Sequence, residues 1–199
     1  VTPATNSITA AMVGNDLISG KDALTSSPAD TDELLISDAG VLKRIDVSLV
    51  GGDLTPAFQV TKSSAQTVSH ATTTKVTWDT ETFDTDSAFA SDKFTVPSGE
   101  GGKYMFNFHL QVGRGTDSDM YRVYTMLYKN GSQVNIINLN LAGTDGRILN
   151  AGGSQALDLS AGDYIEIYVN TATSSGNSID VAGGSTESSF FGGFKMLGV

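Results

Sequence analysis

Cysteine is absent from the 199 residues, so no disulfide framework and no thiolate metal site exists. Histidine occurs twice, at His70 and His109, and tryptophan once, at Trp78. That leaves little material for imidazole chemistry. No apolar run is long enough to span a bilayer as a helix, so membrane insertion is not expected. Basic residues are few: 12 Lys and Arg against 22 Asp and Glu leave a formal charge of -10. Such a surface repels phosphate backbones, and charge alone argues against nucleic acid as a partner. No initiator Met or cleavable signal pattern opens the sequence, which gives the expectation of a processed or partial chain.

Glycine (22 residues), serine, threonine and asparagine are plentiful. With 39% hydrophobic residues, this composition suits many short strands joined by turns around a real core. The strongest signal is 102–112. Tyr104, Phe106, Phe108, Leu110 and Val112 alternate with Met105, Asn107, His109 and Gln111. Period-two alternation marks a strand with one face in a core and one near water, and three aromatics on one face make it the expected central strand.

Further strands are expected at 57–60, 73–79, 93–96, 120–128, 134–141, 155–159, 164–169 and about 188–197. The turn signals between them include Pro97-Ser98-Gly99, Asn130-Gly131 and Ser160-Ala161-Gly162-Asp163. Eight to ten strands at this spacing predict an all-β sandwich or jelly roll. Residues 1–55 read as a separate small segment and 56–199 as the head domain. In the first, Leu34–Ser37 and Val41–Ile45 should pair across Asp38-Ala39-Gly40 as a β-hairpin, and 46–50 has the length of one helical turn. A segment this small cannot bury its own core and needs copies of itself or another protein to hold it.

Candidate chemistry is sparse. His109 falls on the polar face of the central strand and His70 in a Ser/Thr-rich stretch; neither has a nucleophile motif around it. Asp84 and Asp86 resemble the start of a calcium loop, but the turn glycine and terminal Glu are missing. Glu166 has no partner acid in the sequence for glycoside hydrolysis. No catalytic residue, metal ligand or cofactor is therefore assigned. Met120, Tyr124, Met126 and Tyr128 share a strand with Val123 and Leu127, and such two-sided apolar strands call for a layer outside the sandwich. A homotrimer would supply it, with Phe191, Gly193, Ile137 and Tyr124 as interface candidates. For Gly192-Gly193 inside the last strand, close approach of a second subunit and a simple bulge are both open. The loops 114–119, 143–146 and 173–177 are the candidate ligand contacts, with Arg114, Asp117, Asp119, Tyr121 and Asp145 the side chains of interest.

Two resemblances add to this reading. Asp30-Thr31-Asp32-Glu33-Leu34-Leu35-Ile36-Ser37-Asp38-Ala39-Gly40-Val41-Leu42-Lys43-Arg44-Ile45 resembles a segment of bacteriophage tail-fibre and other virion proteins, where it precedes a C-terminal head. Trp78, Asp84, Phe89, Phe94, Gly102, Tyr104, Phe106 and Phe108 resemble the spaced pattern of the complement component one q head, which shares its jelly roll with the tumour necrosis factor family. Tyr128-Lys129-Asn130-Gly131, 159–164 and 189–194 follow that pattern in the same order. Spacing departs from it at Phe89–Phe94 and Phe94–Gly102, both at turns. Together they imply a non-enzymatic, homotrimeric virion protein, a tail fibre that binds a host receptor. Its N-terminal segment would contact other virion proteins, and its head a host-surface glycan or protein. A capsid decoration or head-fibre protein and a glycan-processing module are the alternatives.

Overall fold

The computed structural model describes residues 28–29, 31–47, 50, 54–113, 119–140, 146–184 and 189–197. Two compact units, Val1–Gly52 and Asp53–Val199, make up the chain. In the first, β1 (Glu33–Asp38) and β2 (Val41–Asp46) form the expected antiparallel hairpin. Ala39 (φ 50°) and Gly40 (φ 82°) take the two positive-φ positions of the tight turn, the geometry that matches strand twist. Both faces of this ladder stand open, with Leu35 72% and Leu42 70% exposed on one and Val41 58% on the other. Of the helical turn expected at 46–50, the amide of Val50 donating to the Val47 carbonyl (3.0 Å) is the described part.

The second unit is all-β, with no α-helix among the described residues. Its strands are β3 (Ala57–Thr61), β4 (Gln66–Val68), β5 (Thr74–Lys75), β6 (Thr80–Asp84), β7 (Phe89–Ala90), β8 (Lys93–Thr95), β9 (Gly102–Gly113) and β10 (Met120–Lys129). They continue with β11 (Ser132–Asn140), β12 (Ile148–Leu159), β13 (Tyr164–Thr173), β14 (Ile179–Val181) and β15 (Phe190–Lys195). One sheet runs β11-β10-β13-β8-β7, with β5 also paired to β13. The larger sheet runs β4-β14-β9-β15-β3-β6, with β12 also paired to β9. Strand β9 is central as expected: β12 pairs along its full length, while β15 and β14 pair along successive parts of it.

The inner face of β9 is fully packed. Tyr104, Phe106, Phe108, Leu110 and Val112 are buried against Val123, Leu127, Ile165, Ile167 and Val169 of the facing sheet. At one end Phe58 stacks on Phe94 (4.9 Å between ring centroids) and meets Phe191 edge-on (4.9 Å). The Tyr104 hydroxyl donates to the Glu100 carbonyl (2.5 Å), so this buried phenol keeps a partner. Burial first, then the Glu100 charge, pushes its pKa up to about 12.

Two of the expected strands differ markedly in extent. Only Thr74–Lys75 of 73–79 joins a ladder. Val76 and Trp78 are buried, but their amides donate to the Ile167 carbonyl (2.9 Å) and an Asp92 carboxylate oxygen (2.7 Å). Strand β12 begins seven residues earlier than its apolar signal at Gln155. Gly152-Gly153 interrupts the alternation there, because a Cβ on Gly152 would lie 2.4 Å from the Phe108 carbonyl oxygen. Lys62, polar by sequence, is only 3% exposed; its ammonium donates to the Thr77 carbonyl (2.6 Å), and burial lowers its pKa.

Candidate interaction surfaces

Period-two geometry sorts the interface candidates by face. Phe191 is completely buried among Phe58, Phe89, Phe106 and Trp78. Gly193, two residues on, shares its inward face. A Cβ there would lie 2.6 Å from Phe106 Cδ1 and 2.9 Å from the Met105 carbonyl oxygen. The protomer's own Phe106 ring therefore accounts for the glycine. Ile137 also packs against the core from inside. Within the single chain, Phe191 and Gly193 thus face the protomer's own core and Ile137 packs against it while half-exposed; of the four candidates, Tyr124 faces outward. Gly193→Ala is expected to destabilise the isolated head by about 1–3 kcal/mol through overpacking, measured by denaturant unfolding.

The two-sided apolar signal of β10 has a local answer too. Val123 and Leu127 point into the core, while Met126 lies on the outer face opposite Tyr168. Met126 is nevertheless only 3% exposed within the single chain. On that same face the Tyr128 and Tyr168 rings lie 4.2 Å apart. Met126 is thus buried within the single chain, while Tyr124 and Tyr128 on the same face stay half-exposed.

The larger sheet carries a different outer face. Register places Gln59 opposite both Phe83 and Gly192, and Phe194 opposite Ala57 and Met105. Gln59, Phe83 and Phe194, with Leu54 and Phe190, line a groove of about 380 Å³. Leu54 is 51% and Phe83 45% exposed. His109 stacks on Phe190 (5.9 Å) at one side of it. Apolar side chains this exposed, gathered with the half-buried Phe190 and Phe194 on one sheet face, mark a surface with something to cover it.

The loop candidates fall partly outside the described residues: Arg114, Asp117 and Asp145 lie there, as does most of 143–146. Asp119 is described. Its carboxylate accepts from the Ser175 hydroxyl and its carbonyl from the Ser174 amide (2.8 Å), which ties it to the 173–177 loop. Tyr121 is half-buried beside it. Thr173 donates its hydroxyl to the Asn177 carbonyl (2.9 Å), closing that loop on itself. Nearby, Thr67 donates to Asp180 (2.6 Å), a pair that helps line a separate polar recess with Asn177 and Ser178.

The titratable side chains are engaged in holding turns. Asp84 accepts from the amides of Ala88 (3.0 Å) and Phe89 (2.8 Å), so the acid that suggested a calcium loop caps a turn, and Asp86 accepts from Thr85. His70 Nδ1 accepts from the Thr173 amide (3.1 Å). Glu166 is buried and paired with Lys75 (2.8 Å). No group of three or more His, Asp or Glu side chains among the described residues has a metal-holding arrangement.

Two carboxylates titrate unusually low. Lys129, the Asn130 amide and the Ser160 backbone N–H bring Asp163 down to about 2. Partial burial raises Asp79, but the Ser63 N–H and the Ser64 and Thr80 hydroxyls outweigh it and bring that group to about 2 as well. Their folded-state values lie below the unfolded ones, so their contribution is present above about pH 4 and disappears as pH falls toward 2. Asp163→Asn should therefore melt lower at neutral pH yet lose less on acidification than the parent, in melting curves taken between these limits.

No protein-family model and no curated protein matches the sequence. Solved structures do. The crystal structure of murine APRIL at pH 5.0 superposes with a TM-score of 0.51 at 11% identity, over 70% of this chain and 98% of that one. The pH 8.0 form gives 0.50 at 12% identity, over 70% and 98%. The globular domain of zebrafish complement 1qA protein gives 0.47 at 18% identity, over 71% and 98%. Identities this low speak for the fold alone: with the two-sheet topology, the APRIL superpositions make the head an all-β jelly-roll sandwich.

Proposed function

We propose that this chain is a non-enzymatic structural protein of a bacteriophage particle, a homotrimeric tail-fibre head that attaches to the host. The observation that carries the assembly is the partly exposed apolar groove of Leu54, Phe83, Phe190 and Phe194. A closed ring of copies covers such a face without leaving an edge. The face thus replaces Phe191, Gly193 and Ile137 as the subunit contact. The jelly roll supplies a rigid scaffold with loops at its ends, the arrangement that suits binding rather than turnover.

The virion assignment is supported by the sequence likeness of Asp30–Ile45 to tail-fibre segments. It is also supported by the hairpin's open apolar faces, which require a partner to cover them. Residues 1–55 would dock to other virion proteins and 56–199 would point outward. Asp119 and Tyr121, with Arg114, Asp117 and Asp145, remain candidate contacts of the exposed end. The test is competition: the purified 199-residue chain should block adsorption of the particle to its host, and labelled chain should locate to the tail. Unimpaired adsorption with label on the shell would replace this reading by a capsid-decoration role.

A further inference from the structure

The outer face of the smaller sheet carries four of the six tyrosines. Tyr124 lies opposite Asn170, Met126 opposite Tyr168, and Tyr128 opposite Glu166, so all share one face; Tyr164 follows further along β13. Each end holds a cation laid over a ring. The Arg122 guanidinium sits 4.6 Å from the Tyr124 ring centroid, and the Lys93 ammonium 4.6 Å from that of Tyr164. Neither has a carboxylate partner among the described residues. Arg122 donates through Nη2 to Asn170 Oδ1 (2.7 Å), and its Nε has no acceptor there. The other charges on the face cancel: Lys75 pairs with Glu166, and Lys129 at the edge with Asp163 (2.9 Å).

Two uncompensated positive charges therefore bracket a tyrosine strip on a chain of net charge -10. From Asn170, beside Arg122, to Tyr164, beneath Lys93, is six residues along β13, about 20 Å at strand rise.

We propose that this face binds an extended anionic glycan, its sugar rings lying on the tyrosines and its carboxylates meeting Arg122 and Lys93. The proposal rests on the attachment role above and names the ligand class. Tyrosine offers an apolar ring to the C–H face of a sugar and a hydroxyl to its edge. Arg presents a planar fork of donors to a carboxylate. A protein partner would favour an apolar centre. Here the exposed aliphatic side chains, Val134 and Ile136, lie on the edge strand β11 instead. Because the cations are half-exposed, their contribution should be salt-sensitive.

The experiment titrates the full chain with three linear anionic polymers, polygalacturonate, hyaluronan and polysialic acid, and with neutral dextran. The expected result is binding to at least one anionic polymer and not to dextran. That binding should weaken by about tenfold or more in the double variant Arg122→Met, Lys93→Met, and also when NaCl rises from about 0.05 to about 0.5 M. Tyr168→Ala should weaken it as well, with assembly state checked in parallel. Absence of binding to all three, equal binding to dextran, or undiminished binding by the double variant overturns the proposal. Adsorption competition separates the two ideas. A chain that blocks adsorption but binds no anionic polymer leaves the attachment role standing and removes this one; polymer binding without competition does the reverse.

Discussion

Replacing Phe191 by Ala should lower the stability of the head by about 3–5 kcal/mol, the usual range for a fully buried phenylalanine. The ring meets Phe58 edge-on at 4.9 Å and lies 6.1 Å from Trp78, Phe89 and Phe106. It joins β15 of the larger sheet to the segments around Trp78 and Phe89. Truncation would leave a cavity where several rings converge, and stacked neighbours on rigid strands collapse poorly into such a space. For a domain of about 150 residues this corresponds to a melting point lower by roughly 10 °C or more. The loss should appear in the head whatever its state of association. A protomer of unchanged stability with weakened association would instead put Phe191 at a subunit contact.

The mirror experiment is Phe83→Glu. Phe83 is on β6, directed outward into the groove, and 45% exposed in the single chain. In an isolated protomer a Glu there meets water, and folding should change by less than about 0.5 kcal/mol. In the assembly the same carboxylate would be buried without a partner in each copy, at a cost of several kcal/mol. At about 1.4 kcal/mol per tenfold, dissociation should rise by two to three orders of magnitude. Sedimentation should then show the monomer at concentrations where the parent is assembled, with far-UV spectrum and unfolding cooperativity retained. Phe194→Glu, across the groove, should behave alike.

Phe191 and Phe83 also show where sequence reasoning reached and where it stopped. Strand β9 was legible because the nine residues from Tyr104 to Val112 alternate without interruption, and its inward set is the buried set. At 189–194 the signal fails: Phe190 and Phe191 are adjacent, then two glycines carry no side chain, so period two cannot say which aromatic faces in. The structure turns Phe191 inward and Phe190 outward. The opening of β12 was illegible for a similar reason, since Gly152-Gly153 is a close-approach site with no hydropathy signal. In β10 the sequence correctly shows apolar residues on both faces. It does not show that Tyr168 of β13 lies directly opposite Met126 on that face. The groove itself had no linear trace. Leu54, Phe83, Phe190 and Phe194 come from three separate stretches of chain and become neighbours only through the order β15-β3-β6. The Tyr–Arg–Lys face is likewise a product of register, although Tyr124 was singled out in the sequence for a different partner.

Assembly state is the most direct measurement of the central claim that the jelly-roll head closes into a ring through the outer face of its larger sheet. Native mass spectrometry or sedimentation equilibrium of the full chain should give three times the 20.8 kDa chain mass, falling to one chain in Phe83→Glu. A parent chain that stays a single well-folded protomer at micromolar concentration, or a trimer untouched by Phe83→Glu and Phe194→Glu, would contradict it.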